Sequence, residues 1–77
     1  MLEYEDATKI AIETLKSFDV TPTVAKENEY VYVFTIPDDR FIGGPVPLVI
    51  YKENAYITNM TGCVMDGYYS DRVEIEF

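Results

Sequence analysis

The sequence predicts an α+β domain: one N-terminal helix packed on an antiparallel sheet of about four strands. Two observations carry this. Apolar residues recur at spacings of three and four near the N-terminus, and from about residue 29 onward they stand in short strand-length runs separated by polar and Gly/Pro turns. The strand-like runs on either side of Lys52-Glu53-Asn54 are joined by a short polar turn, which makes neighbouring strands antiparallel. With 77 residues the chain reads as a single domain, 1–77, with no repeat, linker or low-complexity tract. It stands near the lower size limit for one unstapled core.

The helix is expected from about Glu3 to Phe18. Tyr4, Ala7, Ala11, Leu15 and Phe18 share one face, with Ile10 and Ile12 on opposite flanks. Glu3, Glu5 and Asp6 in the first turn and Lys16 in the last complement the helix dipole. Glu5/Lys9 and Lys9/Glu13 place opposite charges four apart on the wet side. The small Ala7 and Ala11 allow close approach to a flat sheet, and Asp19 and Pro22 stop the helix.

An extended stretch from Val20 to Ala25 and a turn at Lys26-Glu27-Asn28 lead to a strand over Glu29 to Ile36. There Tyr30, Tyr32 and Phe34 alternate with Val31, Val33 and Thr35, so both faces are apolar. Such a strand lies mid-sheet or turns a tyrosine-rich face to solvent or a partner. Pro37-Asp38-Asp39 turns the chain, and Phe41 to Pro47, rich in glycine and proline, is a loop. Leu48 to Tyr51 is the next strand, Lys52-Glu53-Asn54 a hairpin connection and Ala55 to Met60 the return, before a turn at Thr61-Gly62. Cys63 to Ser70 is either a short strand and turn or an irregular loop. Val73, Ile75 and Phe77 alternate with Glu74 and Glu76 as a final edge strand, whose outward glutamates discourage edge-to-edge pairing.

Composition narrows function. Hydrophobic residues make up 48% of the chain, and tyrosine contributes seven of its aromatic residues. Tyrosine suits half-buried strands and interfaces, because its ring is apolar and its hydroxyl needs a partner. Six basic against fourteen acidic residues leave a net charge of −8, which opposes nucleic acid and anionic membrane as ligands. It fits a protein kept soluble by self-repulsion, or a surface that attracts a basic partner. The chain has no histidine and one cysteine, so the commonest general base is missing and a structural zinc site is disfavoured. No serine sits in a nucleophile motif, and Gly43-Gly44 is followed by Pro45, which has no amide N–H for a phosphate. No enzymatic activity, cofactor or metal is therefore expected. Cys63 reads as a small buried hydrophobe, with no basic neighbour in sequence to activate its thiol. An acidic N-terminus unlike a signal peptide, the lone cysteine and the lack of a long apolar run lead to an expectation of a cytoplasmic protein.

The leading helix with its alanine face, the Tyr30-x-Tyr32-x-Phe34 strand and the run Gly43-Gly44-Pro45-Val46-Pro47-Leu48-Val49-Ile50-Tyr51-Lys52, with a hairpin and Thr61-Gly62 behind it, together resemble the immunity protein 35 family of bacterial polymorphic-toxin systems. The likeness spans roughly Tyr4 to Gly62. The chain departs from that family's pattern in having no tryptophan in the aromatic strand and no glycine in the Lys52-Glu53-Asn54-Ala55 turn. The resemblance implies a small cytosolic α+β protein that neutralises a cognate toxin by occluding its active site. More distantly, the chain is similar to PepSY and cystatin-like domains, which often bind or restrain proteases; on that reading the loop 43–47 enters a protease cleft. A homodimer joined through an exposed sheet edge is a further alternative.

Two turns are the candidate partner-binding sites. Asp38, Asp39, Arg40 and Phe41 combine carboxylates, a guanidinium and an aromatic ring, too few oxygens for calcium but suited to an interface. Asp66, Tyr68, Tyr69 and Asp71 place adjacent tyrosines between carboxylates, a pattern suited to a basic surface. The competing readings are a solvated turn for the first, and a ring covering the helix end for the second. Tyr30, Tyr32, Tyr51 and Tyr56 read as sheet-face packing or as an aromatic binding face.

Overall fold

The computed structural model describes residues 1–36, 46–68 and 73–75. Its elements are α1 (Tyr4–Lys16), β1 (Val24–Glu27), β2 (Val31–Thr35), β3 (Leu48–Tyr51), β4 (Ile57–Thr58), α2 (Met60–Met65) and β5 (Val73–Ile75). All strand pairs are antiparallel, in the order β4-β3-β2-β1-β5. The fold is thus the α+β class expected, with the tyrosine-rich β2 in the middle of the sheet. Among the described residues the sheet has five strands rather than about four, and a second small helix is present.

α1 lies on one face of the sheet. Ala7, Ala11 and Leu15 are fully buried against Ala25, Tyr32, Phe34, Leu48 and Ile50. The strand residues of this set share a face because Ala25 is opposite Phe34, Phe34 opposite Leu48 and Tyr32 opposite Ile50. Complete burial of a Leu or Phe side chain contributes about 1.5–3 kcal/mol each, so this layer is the main apolar core. The helix closes earlier than the periodicity suggested. The N–H of Val20 donates to the Leu15 carbonyl (3.1 Å) and that of Asp19 to Lys16 (3.0 Å). Asp19 takes a left-handed backbone (φ 59°), completing a Schellman closure. The closing turn carries Phe18 out of the helical rotation, leaving it 59% exposed. Val20 packs against the core in its stead.

The opposite face holds Val31, Val33, Val49 and Tyr51, covered by Cys63 of α2 with Met60 and Tyr68 beside it. This layer corrects the strand-or-loop reading of the stretch that begins at Cys63, which is helical through Met65 while Tyr69 and Ser70 lie outside the described residues, and it shortens the return strand. Asn59 accepts a hydrogen bond from the Gly62 N–H at 2.9 Å and caps α2, so β4 ends at Thr58. The other shift is at Val24–Glu27, read in part as a turn. It forms β1, because β5 supplies a second neighbour to pair with it. Val73 and Ile75 do form an edge strand as expected; Phe77 lies outside the described residues.

Candidate functional site

Three chain segments converge at one end of the sheet. The β1–β2 turn at 28–30 and the β3–β4 turn at 52–54 are tied by the Lys52 N–H, which donates to the Tyr30 carbonyl at 2.9 Å. The segment before α1 joins them, with the Leu2 N–H donating to the Lys52 carbonyl at 2.8 Å. The Tyr32 hydroxyl donates to the Leu2 carbonyl at 3.2 Å.

Asn28 organises this end. Its side-chain oxygen accepts from the N–H groups of Tyr30 (2.7 Å) and Val31 (3.0 Å), an Asx turn that sets the path into β2. Its amide nitrogen donates to the Tyr68 carbonyl at 3.1 Å, a link across forty residues. One side chain therefore fixes the two segments that carry Tyr30 and Tyr68. Their rings stack nearly parallel, with centroids 5.2 Å apart and planes 13° apart. Tyr68 also meets Tyr51 edge-on at 4.8 Å, and Tyr51 meets Tyr56 at 5.3 Å. A continuous run of four rings thus crosses the second face, and Tyr30, 42% exposed, is one of its ends.

A cleft of about 420 Å³ opens beside that end, lined by Met1, Glu29, Tyr30, Lys52, Glu53 and Tyr68. The size falls within the roughly 300–1,000 Å³ usual for small-ligand sites. Lys52 is committed inward: its Nζ lies 2.8 Å from Glu27 Oε2 and 4.7 Å from the Tyr32 ring centroid. Among the described residues no ion pair engages Glu29 or Glu53.

Behind the cleft, the Tyr51 hydroxyl donates to the Asp66 carboxylate, with the Gly62 carbonyl at 3.3 Å. Burial pushes the Tyr51 hydroxyl well above the usual tyrosine pKa, and the Asp66 carboxylate that it serves adds to the rise. The hydroxyl keeps its proton, which suits a latch between β3 and α2 rather than a base. Tyr32 is also raised, chiefly by burial, against the opposing pull of the Lys52 ammonium. Among the described residues no cluster of His, Cys, Asp or Glu could hold a metal ion, and no helix is long and apolar enough to cross a membrane.

The structure divides the candidate residues. Asp66 is the exposed C-cap of α2, with its carboxylate bound to Tyr51. Tyr68 is half-buried and belongs to the cleft wall. Asp38, Asp39, Arg40, Phe41, Tyr69 and Asp71 lie outside the described residues, as do Gly43, Gly44 and Pro45. Of Glu29, Tyr30, Lys52 and Glu53, only Tyr30 stood among the sequence candidates, as sheet-face packing or part of an aromatic binding face. The Asn28-Glu29-Tyr30 turn could have signalled the first pair, but Tyr30 falls in the alternation of a strand and so reads as packing. Cys63, the one cysteine of the chain, is buried and in no disulfide.

No family model matches the chain, nor does any curated protein or solved structure.

Proposed function

We propose that this chain is a small non-enzymatic binding protein that docks an acidic, tyrosine-bearing surface onto a basic protein partner. The observation that carries this reading is the cleft itself, where the Tyr30–Tyr68 stack stands beside two glutamates that no ion pair engages among the described residues. Aromatic rings supply contact area at low entropic cost, and like-signed charges around them steer an oppositely charged surface into place. The net charge of −8 acts in the same sense at longer range. The family resemblance narrows the reading to an immunity protein of the cytoplasm, which covers the basic active site of a cognate toxin.

The test is capture of a partner by cross-linking in the source cell, then titration against the wild type and a Glu29→Lys/Glu53→Lys variant. A basic partner whose affinity falls at least about tenfold on charge reversal, a loss that shrinks with added salt, is the expected result. A captured partner that binds the reversed variant equally well in low salt overturns it.

One observation favours a second reading, self-association. Residues 55–65 contain no charged side chain, yet Tyr56, Ile57, Val64 and Met65 in that stretch are exposed. Light scattering over a concentration series tests it, and a monomer at high concentration and high salt counts against it.

A further inference from the structure

We propose that the cleft at the 28–30 and 52–54 turns is a receptor for a single arginine side chain of the partner, its guanidinium stacking on Tyr30 and pairing with Glu29 and Glu53. The inference rests on the binding-protein reading and adds the chemical group that is recognised.

The molecule already shows this kind of recognition once, within itself. Lys52 places its ammonium over the Tyr32 ring and against the Glu27 carboxylate, a cation held jointly by an aromatic face and an acid. The same three parts recur one step outward, minus the cation. Tyr30 is the ring, backed by Tyr68, and Glu29 and Glu53 are the acids. With Lys52 turned inward onto Glu27, no ion pair among the described residues engages either glutamate.

The shape of the site favours guanidinium over ammonium. A parallel tyrosine pair offers its outer ring as a flat platform, and a planar, weakly hydrated cation continues the stack as a third layer. Two carboxylates carried on different turns match a donor with five N–H groups in a fixed fork, which can serve both at once. An ammonium is compact and strongly hydrated, so it loses more water than it regains contacts there. Asn28 is a positioning residue: it touches no ligand but fixes Tyr30 through one hydrogen bond and Tyr68 through another.

The experiment uses the full chain and two probes, a tetra-arginine and a tetra-lysine peptide, followed by NMR on tyrosine ring signals and by calorimetry. Arginine is expected to bind about fivefold or more tighter than lysine, with the largest shifts at Tyr30 and Tyr68. Tyr30→Leu, at an exposed position, and Glu29→Gln/Glu53→Gln should each abolish the preference while circular dichroism shows the fold intact. Equal affinity for both peptides, shifts confined to another surface, or no binding at about 10 mM peptide would overturn the inference. The two readings fail separately. Arginine binding without any basic partner in the cell removes the partner and keeps the receptor; a basic partner indifferent to Tyr30→Leu does the reverse.

Discussion

The two faces of the sheet are held by different means. Under α1, thirteen residues long, the contacts are apolar, with two alanines bringing the helix axis close to Phe34 and Ile50. Under α2, six residues long, polar latches share the work: the Asn59 cap, the Tyr51–Asp66 hydrogen bond and the Asn28–Tyr68 link. A helix of this length is too short to hold itself. Side chains around it must specify its place, and the same groups orient the tyrosines that reach the cleft. The first face supplies stability; the second supplies orientation.

The sharpest way to break that division is Phe34→Ala on the α1 face. Phe34 is fully buried mid-sheet, so its loss should cost about 3–5 kcal/mol, a large share of the roughly 5–15 kcal/mol that holds a small domain. Urea titration should show the midpoint falling steeply or the transition vanishing. A loss under about 1 kcal/mol would mean that the α1 layer is not the main core.

Gly62→Ala tests the second face next, with competing terms. Alanine in a helix is favoured over glycine by about 1 kcal/mol. A Cβ at this position, however, would clash with Thr58 Oγ1, and Thr58 is held at the end of β4, next to the Asn59 cap. A β-branched side chain cannot turn away freely, so overpacking of about 1–3 kcal/mol should win. Pairing it with Thr58→Ala should return most of the loss, as read by a double-mutant cycle in thermal unfolding.

The same division explains which parts were legible in the sequence. The α1 face was, because Ala7, Ala11 and Leu15 recur at helical spacing and the apolar runs through Phe34 and Ile50 have strand length between turn signals. α2 was not. Six residues give fewer than two turns, and its determinants are single contacts to Tyr51 and Asn28, remote in sequence. Phe18 misled because α1 ends at Lys16 and Phe18 stands in the closing turn beyond it. For the site, Tyr68 and Asp66 stood out as tyrosine and acid in a turn. Glu29 and Glu53 became meaningful only when pairing of β2 with β3 brought two turns to the same end of the sheet.

Asn28→Ala couples the two properties. It removes three hydrogen bonds from a half-buried turn, and about 1–2 kcal/mol of stability should go with them. The loss should be accompanied by a weaker Tyr30–Tyr68 ring contact in NMR and a lower affinity for the arginine probe. Stability loss with an unchanged ring contact would show that stacking, not Asn28, places the rings.

The smallest effect, Tyr51→Phe, is also the most specific, because pH separates it from packing. The ring is retained, so near neutral pH the variant should lose only about 1 kcal/mol, the worth of one hydrogen bond. Asp66 is exposed and can turn to water. Tyr51 has its folded pKa raised, by burial first and Asp66 second, while in the unfolded chain it titrates near 10. A raised folded pKa means that this contribution is whole below about pH 10 and is lost as pH climbs from there toward the folded value, since the unfolded chain releases the proton first. Wild-type stability should therefore decline more steeply than that of Tyr51→Phe between about pH 9 and 11. Tyr32, raised in the same direction, leaves a slope common to both proteins. Urea midpoints across that range check the difference between the two curves. Parallel curves would mean that the Tyr51 hydroxyl is open to water, and α2 would then be held by Asn59 and the buried Cys63 without the Tyr51 latch.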